Sequence, residues 1–121
     1  MKRAHVEEMV RGWFVGNFAP AVLRSEAVEV GIKSYREGDQ EPLHYHKVAT
    51  ELTAIVSGRV RMFGAEWGPG DIVTVEPGDE TDFLALTDAV TVVVKVPSVA
   101  DDKYLVATPS TDAAHAEVMP A

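Results

Sequence analysis

Between residues 28 and 35, apolar side chains fall on alternate positions, the period of an extended strand. Val28, Val30 and Ile32 mark its core face, which leaves Glu29, Lys33 and Tyr35 toward solvent. Were the other face turned inward, Lys33 and Glu29 would become polar pocket residues. Short apolar or alternating runs recur at residues 51–56, 59–63, 71–76, 82–86 and 91–96. Gly58, Gly64, the run Gly68, Pro69, Gly70, and the run Pro77, Gly78, Asp79 separate them as turns. Residues 12–18 are aromatic and glycine-punctuated, and predict a strand ending near Pro20. Residues 4–11 predict one or two helical turns, too short to be stable alone. Seven or eight short strands and no sustained helical period predict an all-β sandwich or barrel.

Composition narrows the chemistry. A chain of 121 residues, 46% hydrophobic and 25% charged, has room for one globular domain. With no cysteine, disulfides, thiolate metal sites and cysteine nucleophiles are excluded, which fits a reducing compartment. No signal-peptide pattern and no apolar run of membrane-spanning length is found, so the expected location is the cytoplasm, with no membrane partner. A net charge of -8 without a basic patch argues against nucleic acid as a partner. Four histidines, His5, His44, His46 and His115, join the carboxylates as the supply of transition-metal ligands.

Two of those histidines stand together. His44 and His46 are two apart, so on an extended chain both imidazoles leave the same face. Glu51 lies five beyond His46, an odd offset that would put it on the opposite face of one continuous strand. It joins the histidines only if residues 47–50 turn the chain into a neighbouring strand. Two neutral imidazoles and a carboxylate would then converge as a set suited to Fe, Mn, Ni, Cu or Zn, with positions open for water or substrate. An isolated His-x-His pair reads more simply as surface histidines on a hairpin. The framing by Gly38, Glu51 and Gly58 favours the ligand reading.

At these residues the chain resembles the cupins. Their first signature, G-x5-H-x-H-x3–4-E-x6-G, is matched by Gly38, His44, His46, Glu51 and Gly58. Their second, G-x5-P-x-G-x2-H-x3-N, is matched only in part. Gly70 and the turn at Pro77 and Gly78 are kept, while Glu76, Thr81 and Ala85 occupy the proline, histidine and asparagine slots. The resemblance implies a cupin-type antiparallel β-barrel (double-stranded β-helix, or jelly roll) with its ligand site inside. It also implies a homodimer formed through outer strands. The histidine replaced by Thr81 is the usual fourth metal ligand. Three readings stay open: a three-ligand centre with added water, a four-ligand centre completed by Asp82 or Glu76, and a metal-free pocket. Asp82 and Glu76 both need a bulge or a change of facing to reach the site.

The expected organisation is an N-terminal extension over residues 1–24, a barrel over 25–97 and a partly flexible C-terminal segment over 98–121. Strand parity adds Thr53 and Ile55, beside Glu51, and Phe83, beside Thr81, to the expected pocket lining. Lys95 interrupts a Val-rich run; a charge guarding an edge strand is favoured over a contact to an anionic substrate. Residues 13–18 read as strand packing or a dimer contact, and His5 and His115 receive no role. Two function classes remain. One is a metal-dependent enzyme acting on a small organic molecule by oxygenase, isomerase or decarboxylase chemistry. The other is a non-catalytic module that binds or senses a small molecule or carbohydrate. Sugar epimerisation, with His44 or His46 as base, is disfavoured by the acidic balance and the missing second-signature histidine.

Overall fold

Alternation along the chain is realised as eleven strands in a computed structural model that describes residues 1–106. Of the expected C-terminal segment over 98–121, residues 107–121, with His115, lie outside the described residues. The strands are β1 (Trp13–Gly16), β2 (Leu23–Arg24), β3 (Glu29–Tyr35), β4 (Gln40–Tyr45), β5 (Thr50–Ser57) and β6 (Val60–Met62). They continue with β7 (Ala65–Trp67), β8 (Ile72–Val75), β9 (Thr81–Ala85), β10 (Ala89–Val96) and β11 (Tyr104–Leu105). One sheet has the order β2-β1-β3-β10-β5-β8 and the other β11-β4-β9-β6-β7. Pairing is antiparallel except between β1 and β2. The expected helix at residues 4–11 is a single 3-10 turn, Val6–Glu8, whose Glu7 N–H donates to His5 Nδ1. Three helical residues with no buried side chain cannot propagate further. Among the described residues no helix is long and apolar enough to cross a membrane.

The two sheets enclose an apolar cluster of Ile55, Val60, Met62, Val73, Val75, Phe83, Ala85 and Ala89. Burying each large side chain of this kind contributes about 1.5–3 kcal/mol. Strand β10 lies between β3 and β5 and buries every second residue, from Ala89 through Thr91 and Val93 to Lys95. Lys95 is therefore on a central strand and 8% exposed, which corrects the edge-strand expectation.

Strand β3 also turns its unexpected face inward. Ile32 is 36% exposed, while Gly31 is buried and Lys33 and Tyr35 line a cavity. The reason is Trp13, paired with Gly31, whose buried indole covers that position. A Cβ on Gly31 would stand 2.8 Å from the ring. Only the face carrying that glycine can accept the indole. Register then aligns Lys33 with Thr91 and Gly31 with Val93, so all four point inward together.

The chain leaves β4 in one sheet and enters β5 in the other, and the crossing at residues 46–49 is held by Asp102. Its carboxylate accepts the N–H groups of Lys47 at 3.0 Å, Val48 at 3.1 Å and Ala49 at 2.8 Å. Its carbonyl accepts His46 Nδ1–H at 2.6 Å. Burial alone would push the Asp102 carboxyl up, but the N–H groups of Ala49, Lys47 and Val48 outweigh it and hold it below 3.8.

Replacing Asp102 by Ala strands three N–H groups and lowers the unfolding free energy by about 3 kcal/mol, measured by urea titration. Because the native carboxyl is the stronger acid, this contribution is present above pH 3.8 and disappears as pH falls through the native value. Unchanged urea midpoints in the variant would contradict the clasp.

Candidate metal centre

His44, near the end of β4, donates Nδ1–H to the Pro42 carbonyl at 2.7 Å, and His46 does the same to Asp102. A carbonyl oxygen can only accept, so Nδ1 of each ring carries a proton, and Nε2 is the nitrogen that a neutral ring offers as a lone pair. Both rings are buried, and His46 is 2% exposed. Its Nε2 has no hydrogen-bond partner among the described residues. It lies 3.5 Å from Glu51 Oε1, an ionic distance outside hydrogen-bond geometry. The crossing at residues 46–49 leads into the other sheet and brings Glu51 on β5 against His46.

Thr53 Oγ1–H donates to Glu51 Oε2 at 3.1 Å and orients the carboxylate. Burial pushes the Glu51 carboxyl up, but His46, the Lys95 ammonium and the Thr53 hydroxyl outweigh it, so the group stays ionised at neutral pH. Burial holds the His44 imidazole below its ordinary value, with the charge of Lys103 acting in the same direction. Nitrogen lone pairs and a carboxylate are the donor types that divalent first-row metals take, and the orphaned Nε2 is a buried acceptor that needs a partner. The residues fit such an ion in donor chemistry. Among the described residues no three His, Asp or Glu side chains already meet at coordination spacing. The His44 ring stands edge-on to His46 with centroids 5.6 Å apart, so joining it to the pair takes a side-chain adjustment.

Thr81, aligned with His44 across β4 and β9, lines the cavity. Its hydroxyl accepts Phe63 N–H at 3.1 Å and donates to the Asp82 carbonyl at 2.7 Å, which ties it into the wall. Asp82 is exposed at the cavity rim. Glu76 is exposed in a turn, its N–H donating to Asp79, and is not part of the lining. Thr53 and Phe83 line the cavity, Phe83 against Tyr35 with ring centroids 4.4 Å apart. Ile55 belongs to the apolar cluster instead.

The cavity, about 500 Å³ including its open mouth, also receives side chains that sequence reasoning did not assign to it. Trp13, Tyr35, Glu41 and Lys103 are among them, together with the two lysines expected elsewhere, Lys33 and Lys95. Lys103 pairs with Glu41 at 3.0 Å. Burial lowers the Lys33 ammonium to about 8, with Glu41 partly opposing. Burial pushes the Tyr35 phenol far up, so it remains a hydrogen-bond donor across the physiological range. The lysine within a valine run, Lys95, is the one signal of this lining that the sequence offers.

No protein-family profile and no curated protein sequence matches the chain. Solved structures do. An uncharacterized conserved protein with a double-stranded β-helix domain from Klebsiella pneumoniae superposes with a TM-score of 0.65 at 20% identity, covering 86% of this chain and 90% of that one. The DMSP lyase DddQ from Ruegeria pomeroyi gives 0.64 at 20% identity, covering 85% of this chain and 55% of that one. A cupin protein from Bacteroides fragilis gives 0.51 at 23% identity, covering 61% and 69%. At these identities the likeness is one of fold.

Replacing Lys33 by Met removes a charge that folding partly desolvates, so the variant melts at a higher temperature near neutral pH. The unfolded chain keeps its proton up to 10.5 and the native one only up to about 8. The gain is therefore full below about 8 and shrinks as pH rises toward 10.5. Melting curves across that range check it; a lower melting temperature at neutral pH would show that the ammonium stabilises the fold.

Proposed function

We propose, from the premise that this chain has the cupin fold, that it is a metal-dependent enzyme acting on a small organic molecule. His44 and His46, through Nε2, and Glu51 would hold the divalent ion. The observation that carries this reading is the buried, unpartnered His46 Nε2 facing the Glu51 carboxylate. When bound, such an ion supplies Lewis-acid polarisation of a substrate oxygen and, if it is iron or copper, redox chemistry.

The chain's own residues do the rest. Pro42 and Asp102 carbonyls keep both Nε2 lone pairs free, the outer support that metal-binding histidines use. Thr53 fixes the carboxylate, and the Tyr35 phenol stays protonated within the same cavity. Met62, Phe83 and Val93 give the wall an apolar part that limits water around a bound ligand. DddQ, of similar fold, is a lyase by its name, which shows that this architecture can house catalysis.

The second reading, a metal-free binding module, draws support from Thr81, whose hydroxyl is already committed to Phe63 and Asp82. The outward side of the larger sheet exposes Ile32, Leu52, Val56 and Ile72, an apolar surface that would suit a homodimer contact. The absence of cysteine keeps the cytoplasm as the proposed setting.

Untagged chain loaded with Fe(II), Mn, Ni or Zn should retain close to one ion per chain by elemental analysis. His44→Ala, His46→Ala and Glu51→Ala should each weaken retention by about tenfold or more. A folded chain that takes up no metal would establish the second reading. Parallel losses in Asp82→Ala or Glu76→Ala would identify a fourth ligand.

A further inference from the structure

We infer that the ligand of this cavity is a small carboxylic acid whose carboxylate is held by Lys33 and Lys95 above the Trp13 ring, next to His46 and Glu51. The inference rests on the reading of this cavity as the ligand site, and it names the chemical class that site takes.

Each ammonium stands 5.1 Å from the centroid of the same indole, Lys33 from β3 and Lys95 from β10. Gly31 makes that platform possible by leaving room for the ring between the strands. The ring face offsets part of the cost of removing two ammoniums from water. It does not supply a counter-charge.

The nearby carboxylates have other partners. Glu41 pairs with Lys103, and Glu29, opposite Lys95 in register, accepts from Ser98 Oγ at 2.9 Å. Glu51, opposite Lys95 on the other side, faces His46 and accepts from Thr53. Among the described residues neither Lys33 nor Lys95 forms an ion pair. Two partly or wholly buried cations without a direct partner are costly, and the lowered Lys33 value shows that cost. Trp13 adds a buried Nε1–H with no partner in the same wall.

Donors in excess on one wall call for an acceptor. Two ammoniums match the two oxygens of one carboxylate. A phosphate would need further backbone N–H donors, and the wall here is sheet, whose N–H groups are used in the ladders between β1, β3, β10 and β5. The register pairing of Lys95 with Glu51 places the carboxylate one strand from the proposed metal ligands. An acid bound there keeps its adjoining carbon and oxygen atoms within reach of that centre.

The test is calorimetry on the metal-free chain and on the chain loaded with Mn(II), using acetate, malonate and succinate, their uncharged amides, and inorganic phosphate. At least one carboxylate should bind the metal-free chain, its amide should not, and phosphate should bind more weakly. Lys33→Met and Lys95→Met should each weaken that binding by about tenfold or more, with melting curves showing that both variants fold. Equal affinity for acid and amide, unchanged binding in both lysine variants, tighter binding of phosphate, or no carboxylate bound in either metal state would each overturn the inference. Failure of the metal reading shows separately, as a chain that takes up no Mn(II) yet still binds carboxylate through the lysines.

Discussion

The site depends on one buried carboxylate that never touches the cavity. Asp102 gathers the N–H groups of Lys47, Val48 and Ala49, and so fixes the path by which the chain passes from one sheet to the other. Without that crossing, the five-residue step from His46 to Glu51 would send the carboxylate to the wrong face. The same residue's carbonyl takes the His46 Nδ1 proton and leaves the Nε2 lone pair facing Glu51. Backbone path and ring tautomer are thus set by a single residue in the segment just before β11.

A second constraint is steric. Trp13 needs the glycine at position 31, and that need decides which side of β3 faces inward. Ile32 is consequently left on the outside and Lys33 is drawn in. Burying an indole of that size outweighs exposing one isoleucine. In a chain of net charge -8 the cavity lining brings Lys33, Lys95 and Lys103 together with Glu41, Glu51 and Asp82. Over distances beyond about 8 Å the net charge is screened at physiological salt, so the potential inside the cavity is set by its own side chains.

Much of this was legible in the sequence because it is local. Period-two alternation and glycine turns mark most of the strands, and the spacing of His44, His46 and Glu51 between Gly38 and Gly58 points to the cavity that all three line. What alternation cannot tell is that the indole of Trp13 requires Gly31 beneath it, and that contact turns the more polar face of β3 inward. Lys95 looked like an edge charge because strand order is a property of the whole fold. Asp102 lies 56 residues from His46, beyond the reach of any local pattern. The second-signature position behaves differently again: Thr81 keeps its place in the wall but spends its hydroxyl on the backbone of Phe63 and Asp82.

The central claim is that two backbone carbonyls hold a proton on Nδ1 of His44 and His46, so that Nε2 is the nitrogen each ring offers to a ligand. A long-range proton–nitrogen correlation spectrum of the imidazoles, assigned with His44→Gln and His46→Gln, reads that state directly. Both rings should show a proton on Nδ1, with the Nε2 signals alone shifting strongly on titration with Zn(II). Rings that carry the proton on Nε2 in place of Nδ1, or Nε2 signals that Zn(II) leaves unmoved, would contradict it.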